Sequence, residues 1–249
     1  RITLFGDSAG GASSSFHLFS PLTEPYFHNA IMQSGTAIGY AALADRNQLY
    51  KLNKRILNEL GCDDSKEKMI ECALKLDVKE SIIKIEKSFY DKDASKGVLS
   101  FPFMPIVDYY FLEDEPINLL KKGKFKKCSI LLGANLNEGN LFFTYLPDYE
   151  NLPNLLEKPK ITYEKFKNNL EDVFYFYPKF PFVTKNLTLE AIKYRYSNWV
   201  NLEDQDENFN NLDRAVGDFH FICPALQLAD FYSNYNLSIF FYHFTHIDS

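Results

Sequence analysis

The sequence predicts an α/β fold: short apolar runs alternate with longer stretches of helical spacing, and the first run passes through a glycine-rich turn directly into a helix. With 249 residues, 46% of them hydrophobic, the chain can bury a large core, which suits one large domain or part of one. A charged fraction of 24%, with 23 Phe and 16 Tyr, excludes bulk disorder.

Taken in order, Ile2–Phe5 reads as a buried strand, Gly6–Gly11 as a tight turn and Ala12–Phe19 as a helix stopped by Ser20 and Pro21. Ala30–Met32 supplies the next strand. Asp45 caps a helix whose apolar residues Leu49, Leu52, Ile56 and Leu60 keep helical spacing, and Gly61 ends it. Two further helical stretches follow, around 67–76 and 79–87. Ser129–Leu132 is another strand, running into Gly133 and a polar turn. From Tyr163 to Tyr232 the pattern is mostly helical, interrupted by an acidic loop at Asn201–Asn211, and Ser238–Tyr242 closes the series as a strand. Residues 147–159 read as a surface loop, and no repeat, low-complexity tract or domain boundary is present.

A net charge of -6 counts against nucleic acid as a partner, because phosphate binding needs a basic face. No apolar run approaches the roughly 20 residues of a membrane span. Arg1 stands directly before a core strand and the last strand lies almost at Ser249, so both ends are expected to be internal to a longer chain. Cys62 and Cys72 flank a short polar stretch that either closes a small disulfide loop or leaves two reduced buried thiols. Sequons at Asn186 and Asn236 lean towards a secreted or extracellular protein.

Chemistry concentrates at Gly6-Asp7-Ser8-Ala9-Gly10, a G-x-S-x-G between a strand and a helix. The strained turn calls for small residues at both glycines, so that the Ser8 side chain projects above the sheet edge as a nucleophile. The helix points its first N–H groups and positive dipole end at the reacting centre, and the N–H of Ala9 is one candidate oxyanion donor. Such a serine needs a base, and the base an orienting acid. Glu138, in Asn137-Glu138-Gly139 just past the strand Ser129–Leu132, is the best acid, since it falls at the same sheet edge; a solvated turn carboxylate is the bland alternative.

Four stretches, Phe5–Gly11 (FGDSAGG), Ala30–Gly35 (AIMQSG), Ile130–Gly139 (ILLGANLNEG) and Val216–Pro224 (VGDFHFICP), resemble consecutive landmarks of the cholinesterase and type-B carboxylesterase family, in family order over nearly the whole chain. The resemblance implies an α/β-hydrolase fold, incomplete at both ends, with residues 1–249 forming the central and C-terminal-side part of a single domain. It implies Ser8 as nucleophile, Glu138 as triad acid and Ala9 as oxyanion donor, acting on a small-molecule ester with no cofactor and no metal. It also implies a Cys62–Cys72 disulfide and a Cys223 that pairs beyond the C-terminus, leaving Cys128 as a buried free thiol. The family's catalytic His lies beyond the strand matching Ser238–Tyr242, in a His-Gly-x-Glu context that does not occur here. His246, just after the last strand, is the alternative base within the chain, but the resemblance places the base past Ser249, with His220 and His243 structural, and the span alone is expected to be inactive.

Substrate choice in the family depends on pocket residues. Two Phe spaced by one residue mark acetylcholine-selective vertebrate members, and Leu99 and Phe101 stand there instead, so a somewhat larger acyl group is expected. Leu141 and Phe142 replace two aromatics after the acid, Asp7 replaces a Glu before the nucleophile, and a pocket Trp is replaced near Tyr40 and Ala41. A shorter acid at position 7 and fewer rings both weaken cation binding. Choline esters are the expected substrates, general carboxylic esters the alternative, and a non-catalytic adhesion domain a second one that the intact Ser8 and Glu138 disfavour. A homodimer and a terminal membrane anchor outside these residues are carried as expectations from the same family.

Overall fold

A computed structural model describes residues 1–62, 65–92, 101–143, 159–174 and 186–246. Its centre is an all-parallel sheet in the order β1 (Thr3–Asp7), β2 (Asn29–Gln33), β3 (Ser129–Asn135) and β4 (Ile239–Phe244). Register places Leu4, Ala30, Ile130 and Ile239 across one row, and Gly6, Met32, Leu132 and Phe241 across the next row of the same face. Ala30, Ile130, Met32 and Leu132 are buried, as a parallel strand's core face requires. The opposite face carries Phe5, Ile31, Leu131 and Phe240 in register, with Phe5 75% and Phe240 62% exposed.

The first helix, α1 (Ala9–Phe19), packs on β1 and β2 and buries Phe16, Leu18 and Phe19. The expected turn over Gly6–Gly11 shrinks to Ser8 alone: the strand runs on to Asp7 and the helix starts at Ala9. β3 likewise continues through Gly133 to Asn135, because its ladder with β4 extends that far.

Away from the sheet, α2 (Arg46–Glu59) starts as predicted, with the Asp45 side chain accepting from the Gln48 N–H at 2.8 Å, a cap worth about 1 kcal/mol. Gly61, at φ 87°, ends that helical stretch. α3 (Lys66–Ala73) and α4 (Val78–Lys92) follow, then the short α5 (Pro116–Lys121), opened by its proline, and α6 (Asn140–Phe143). α7 (Tyr163–Val173) and α8 (Asn186–Tyr196) lead to α9 (Gln205–Gly217).

The loop expected at Asn201–Asn211 is largely this last helix. Asp204 caps it by accepting from the Glu207 N–H at 3.0 Å, Asp206 and Glu207 favour its positive end, and Phe209, Leu212 and Val216 are buried. The acidic run is a helix start whose apolar side meets Phe166, Leu170 and Val173 of α7 in a second core. A single π-helical turn, Asp218–Ile222, joins α9 to α10 (Cys223–Ser233), which packs on β3 and β4. The expected surface loop at 147–159 lies almost wholly outside the described residues.

Cys62 and Cys72 form a disulfide between the end of α2 and α3, while Cys128 is a buried free thiol and Cys223 an exposed one. Closing this short loop removes chain entropy worth about 3 kcal/mol from the unfolded state. Replacing both cysteines with alanine is expected to lower the free energy of urea unfolding by about that amount. A loss below about 0.5 kcal/mol, within the range of ordinary surface substitutions, would refute this account.

Candidate active site

Ser8 forms the entire turn between β1 and α1. Its φ of 55° and ψ of -117° reverse the chain within one residue, in a region that costs a serine on the order of 1–3 kcal/mol. One backbone hydrogen bond offsets this cost, and two bare glycines make room for the turn. The Ser8 N–H donates to the Gln33 carbonyl at 2.8 Å, so the β1–β2 ladder extends one residue past the strand. A Cβ on Gly6 would stand 2.3 Å from the Gly10 carbonyl, and one on Gly35 only 2.1 Å from the Ser8 carbonyl oxygen. No side chain fits at either place. Gly10 differs: a Cβ there would meet nothing within 4 Å, so the turn itself requires a small residue at Gly6 but not at Gly10.

Ala9 is the first residue of α1, and its N–H is among the four that the helix itself does not use. Beside Ser8 lies a cavity of about 100 Å³, lined by Ala9, Ala12, Ala41, Ala42 and Phe101 among others. His220, on the π-helical turn, forms part of the wall; its complete burial lowers its pKa to about 3, so the ring is neutral at physiological pH. The other described histidines stand elsewhere. His17 lies on α1 with its ring edge against Phe111, His28 accepts from the Ile2 N–H, His243 pairs opposite Ala134 in the ladder, and His246 follows β4.

Glu138 lies in the turn after β3 and is half-buried. Its Oε1 accepts from the Ser34 hydroxyl at 2.6 Å and from the Asn135 N–H at 2.6 Å. Ser34, whose part the sequence did not reveal, closes β2 with a left-handed φ of 51°, donates its N–H to the Gly133 carbonyl at 2.9 Å, and lines the cavity beside Ser8. Its place directly after a strand, before a glycine, was the available signal. Tyr242 packs where Gly133 lacks a side chain, and burial raises its phenol pKa, with Glu138 and Asp7 adding to the effect.

Among the remaining pocket residues, Asp7 ends β1 and is exposed, while Phe101 lines the cavity. Leu141 is 64% exposed on α6 and lies outside the cavity wall, and Phe142 sits on the same short helix with its side chain outside the described residues, as is the whole of Leu99. Asn186 begins α8, its side chain likewise undescribed, and Asn236 is exposed in the turn before β4. Among the described residues no cluster of His, Cys, Asp or Glu is arranged to hold a metal ion. A hydroxyl placed on a sheet edge at a helix N-terminus can attack a carbonyl carbon once a base takes its proton, and nearby N–H groups can hold the resulting oxyanion.

A profile of the carboxylesterase family matches residues 1–249. The chain is 32% identical over 250 residues to an acetylcholinesterase of Myxine glutinosa, covering 98% of this chain and 68% of that protein. It is 34% identical over 250 residues to a cholinesterase of Mus musculus, covering 100% of this chain and 39% of that protein. An acetylcholinesterase of Leptinotarsa decemlineata is 30% identical over 256 residues, covering 98% of this chain and 37% of its own length. The chain thus spans well under half of the mouse and beetle proteins.

The unequal crowding at the two motif glycines gives a direct test. Gly6→Ala must push Gly10 backbone aside and is expected to lower unfolding stability by about 1–3 kcal/mol. Gly10→Ala, inside a helix and facing open space, is expected to be neutral or to stabilise by up to about 1 kcal/mol. Equal losses in the two variants would contradict the turn geometry.

Proposed function

The chain belongs to the carboxylesterase family, and from that premise we propose that it carries the nucleophile and the acid of a serine esterase acting on choline esters. Ser8 is the nucleophile, Glu138 the acid that orients the base, and the N–H of Ala9 one oxyanion donor. The carrying observation is the single-residue turn at Ser8, which lifts the hydroxyl off the sheet edge at the start of α1, beside the Ser34 that holds Glu138.

In this reading the base takes the Ser8 proton as Oγ adds to the ester carbonyl. The tetrahedral oxyanion collapses, the alcohol leaves with that proton, and water repeats both steps on the acyl-enzyme to release the acid and restore Ser8. We assign the base to a histidine outside residues 1–249. Burial holds the His220 imidazole far below its ordinary range and makes it too weak a base, His243 is part of the β3–β4 ladder, and His246 follows β4 with its ring packed against Phe244. The isolated span is accordingly inactive, since loss of a triad base costs roughly a millionfold. The Cys62–Cys72 disulfide and the exposed sequon at Asn236 support an extracellular setting.

Choline esters are favoured by the names of the relatives. A general carboxylesterase is the second reading, and the cavity is the observation behind it. Its volume of about 100 Å³ leaves room for a short acyl tail. Ala41 and Ala42 leave one side of the cavity without a ring, while Phe101, His220 and Phe221 line the rest.

Two measurements on the full-length protein test these assignments. An organophosphate is expected to label Ser8 and to leave Ser8→Ala unlabelled; a folded protein whose Ser8 stays unmodified would sink the esterase assignment. Ala41→Phe fills the cavity and is expected to lower the butyryl-to-acetyl ratio of kcat/KM by about tenfold or more, at ~1–3 kcal/mol per excluded methylene. An unchanged ratio would remove Ala41 from the acyl pocket.

A further inference from the structure

Glu138 is braced from below as well as from its carboxylate end. The side-chain amide of Asn137 donates to Oδ2 of Asp213 at 2.6 Å, across 76 residues of sequence. Asp213 is only 2% exposed, and it belongs to α9, where Gly217 stands one turn further along the same face. Each residue of the Asn137-Glu138-Gly139 turn meets that face. A Cβ on Gly139 would lie 2.5 Å from the Asp213 carbonyl oxygen and 2.8 Å from Oδ1, and one on Gly217 would lie 3.4 Å from Cβ of Glu138. The turn therefore rests closely on α9, bare at Gly139 and Gly217, and a side-chain hydrogen bond to a buried carboxyl group fixes where along the helix it sits.

From this geometry we infer that Asp213 and Asn137 form a positioning pair for the reaction, setting the angle at which Glu138 reaches its base. The inference rests on the esterase assignment of Glu138. Ser34 and the Asn135 N–H both hold Oε1, and the Leu136 N–H ties the start of the turn to the Phe244 carbonyl at 2.9 Å. The Asn137–Asp213 bond adds a tie on the α9 side, directly before Glu138. Neither residue touches substrate; their effect passes through Glu138, and a displacement near 1 Å at a triad member is enough to cost on the order of a hundredfold in rate.

The test uses the full-length protein, with active sites counted by organophosphate titration so that misfolded material does not enter kcat. Asn137→Leu keeps the branched side-chain skeleton and removes the donor. It is expected to lower kcat by about tenfold or more, with KM for a short-chain thioester within twofold of the parent. Asn137→Asp, a second variant of nearly unchanged shape, sets two carboxyl groups face to face with no donor between them and is expected to lower kcat in the same way. Exchanging the two groups in Asn137→Asp/Asp213→Asn restores a donor and an acceptor across the contact and is expected to bring kcat back to within about threefold of the parent. Full kcat in both single variants would overturn the inference. So would loss in the singles without recovery in the exchange, since that is the pattern of a merely structural contact. A parent protein without turnover or label would instead overturn the esterase assignment beneath it.

Discussion

Most of the site depends on the reversal of the chain at a single serine. Ser8 sits at φ 55°, where a side chain is costly, and no hydrogen bond from its own side chain caps the helix it begins. What holds it is backbone: the ladder bond to Gln33 and the bare approaches at Gly6 and Gly35, each too close for any side chain. Because the turn consumes one residue, α1 starts at the sheet edge and its dipole and first N–H groups face the same space as the hydroxyl. A longer turn would have separated these features.

The same device recurs one strand over. Ser34 also leaves its strand with a left-handed backbone, at φ 51°, and its N–H also bonds to the neighbouring strand, at Gly133. Two adjacent parallel strands thus end in serines, both lining one cavity, and only the second is spent on a carboxylate. The division of labour follows from register. Gln33 and Gly133 are paired in the sheet, so the chain beyond β3 emerges next to Ser34 and returns Glu138 to it.

Helical layers on the other side of this edge keep the strained parts in place. α9 supports the Glu138 turn through Asp213 and Gly217, then widens into the π-helical turn that brings His220 and Phe221 to the cavity wall. Burial of Leu212, Ala215 and Val216 against α7 anchors that layer. The strain at Ser8 and Ser34 is small beside this apolar burial, each core side chain contributing about 1.5–3 kcal/mol.

Local signals were legible where chemistry is local. The strand–glycine–serine–helix unit at Gly6–Gly10, the Asp45 cap, the Gly61 stop and the core strands could all be read, because each depends on neighbours within a few residues. The acidic run at Asn201–Asn211 misled for the same reason. Its charges suggest a loop, while the apolar face that makes it a helix shows only against α7. The sequence by itself determined that a serine stands in a strained strand-to-helix turn and that a carboxylate follows a later core strand. Only the tertiary structure decided that Ser34 grips that carboxylate, that Asp213 seats its turn, that Gly10 is sterically free and that four alanines open a cavity beside Ser8. These facts involve residues far apart in the chain, whose contacts come from strand register and helix packing rather than from any pattern along the sequence.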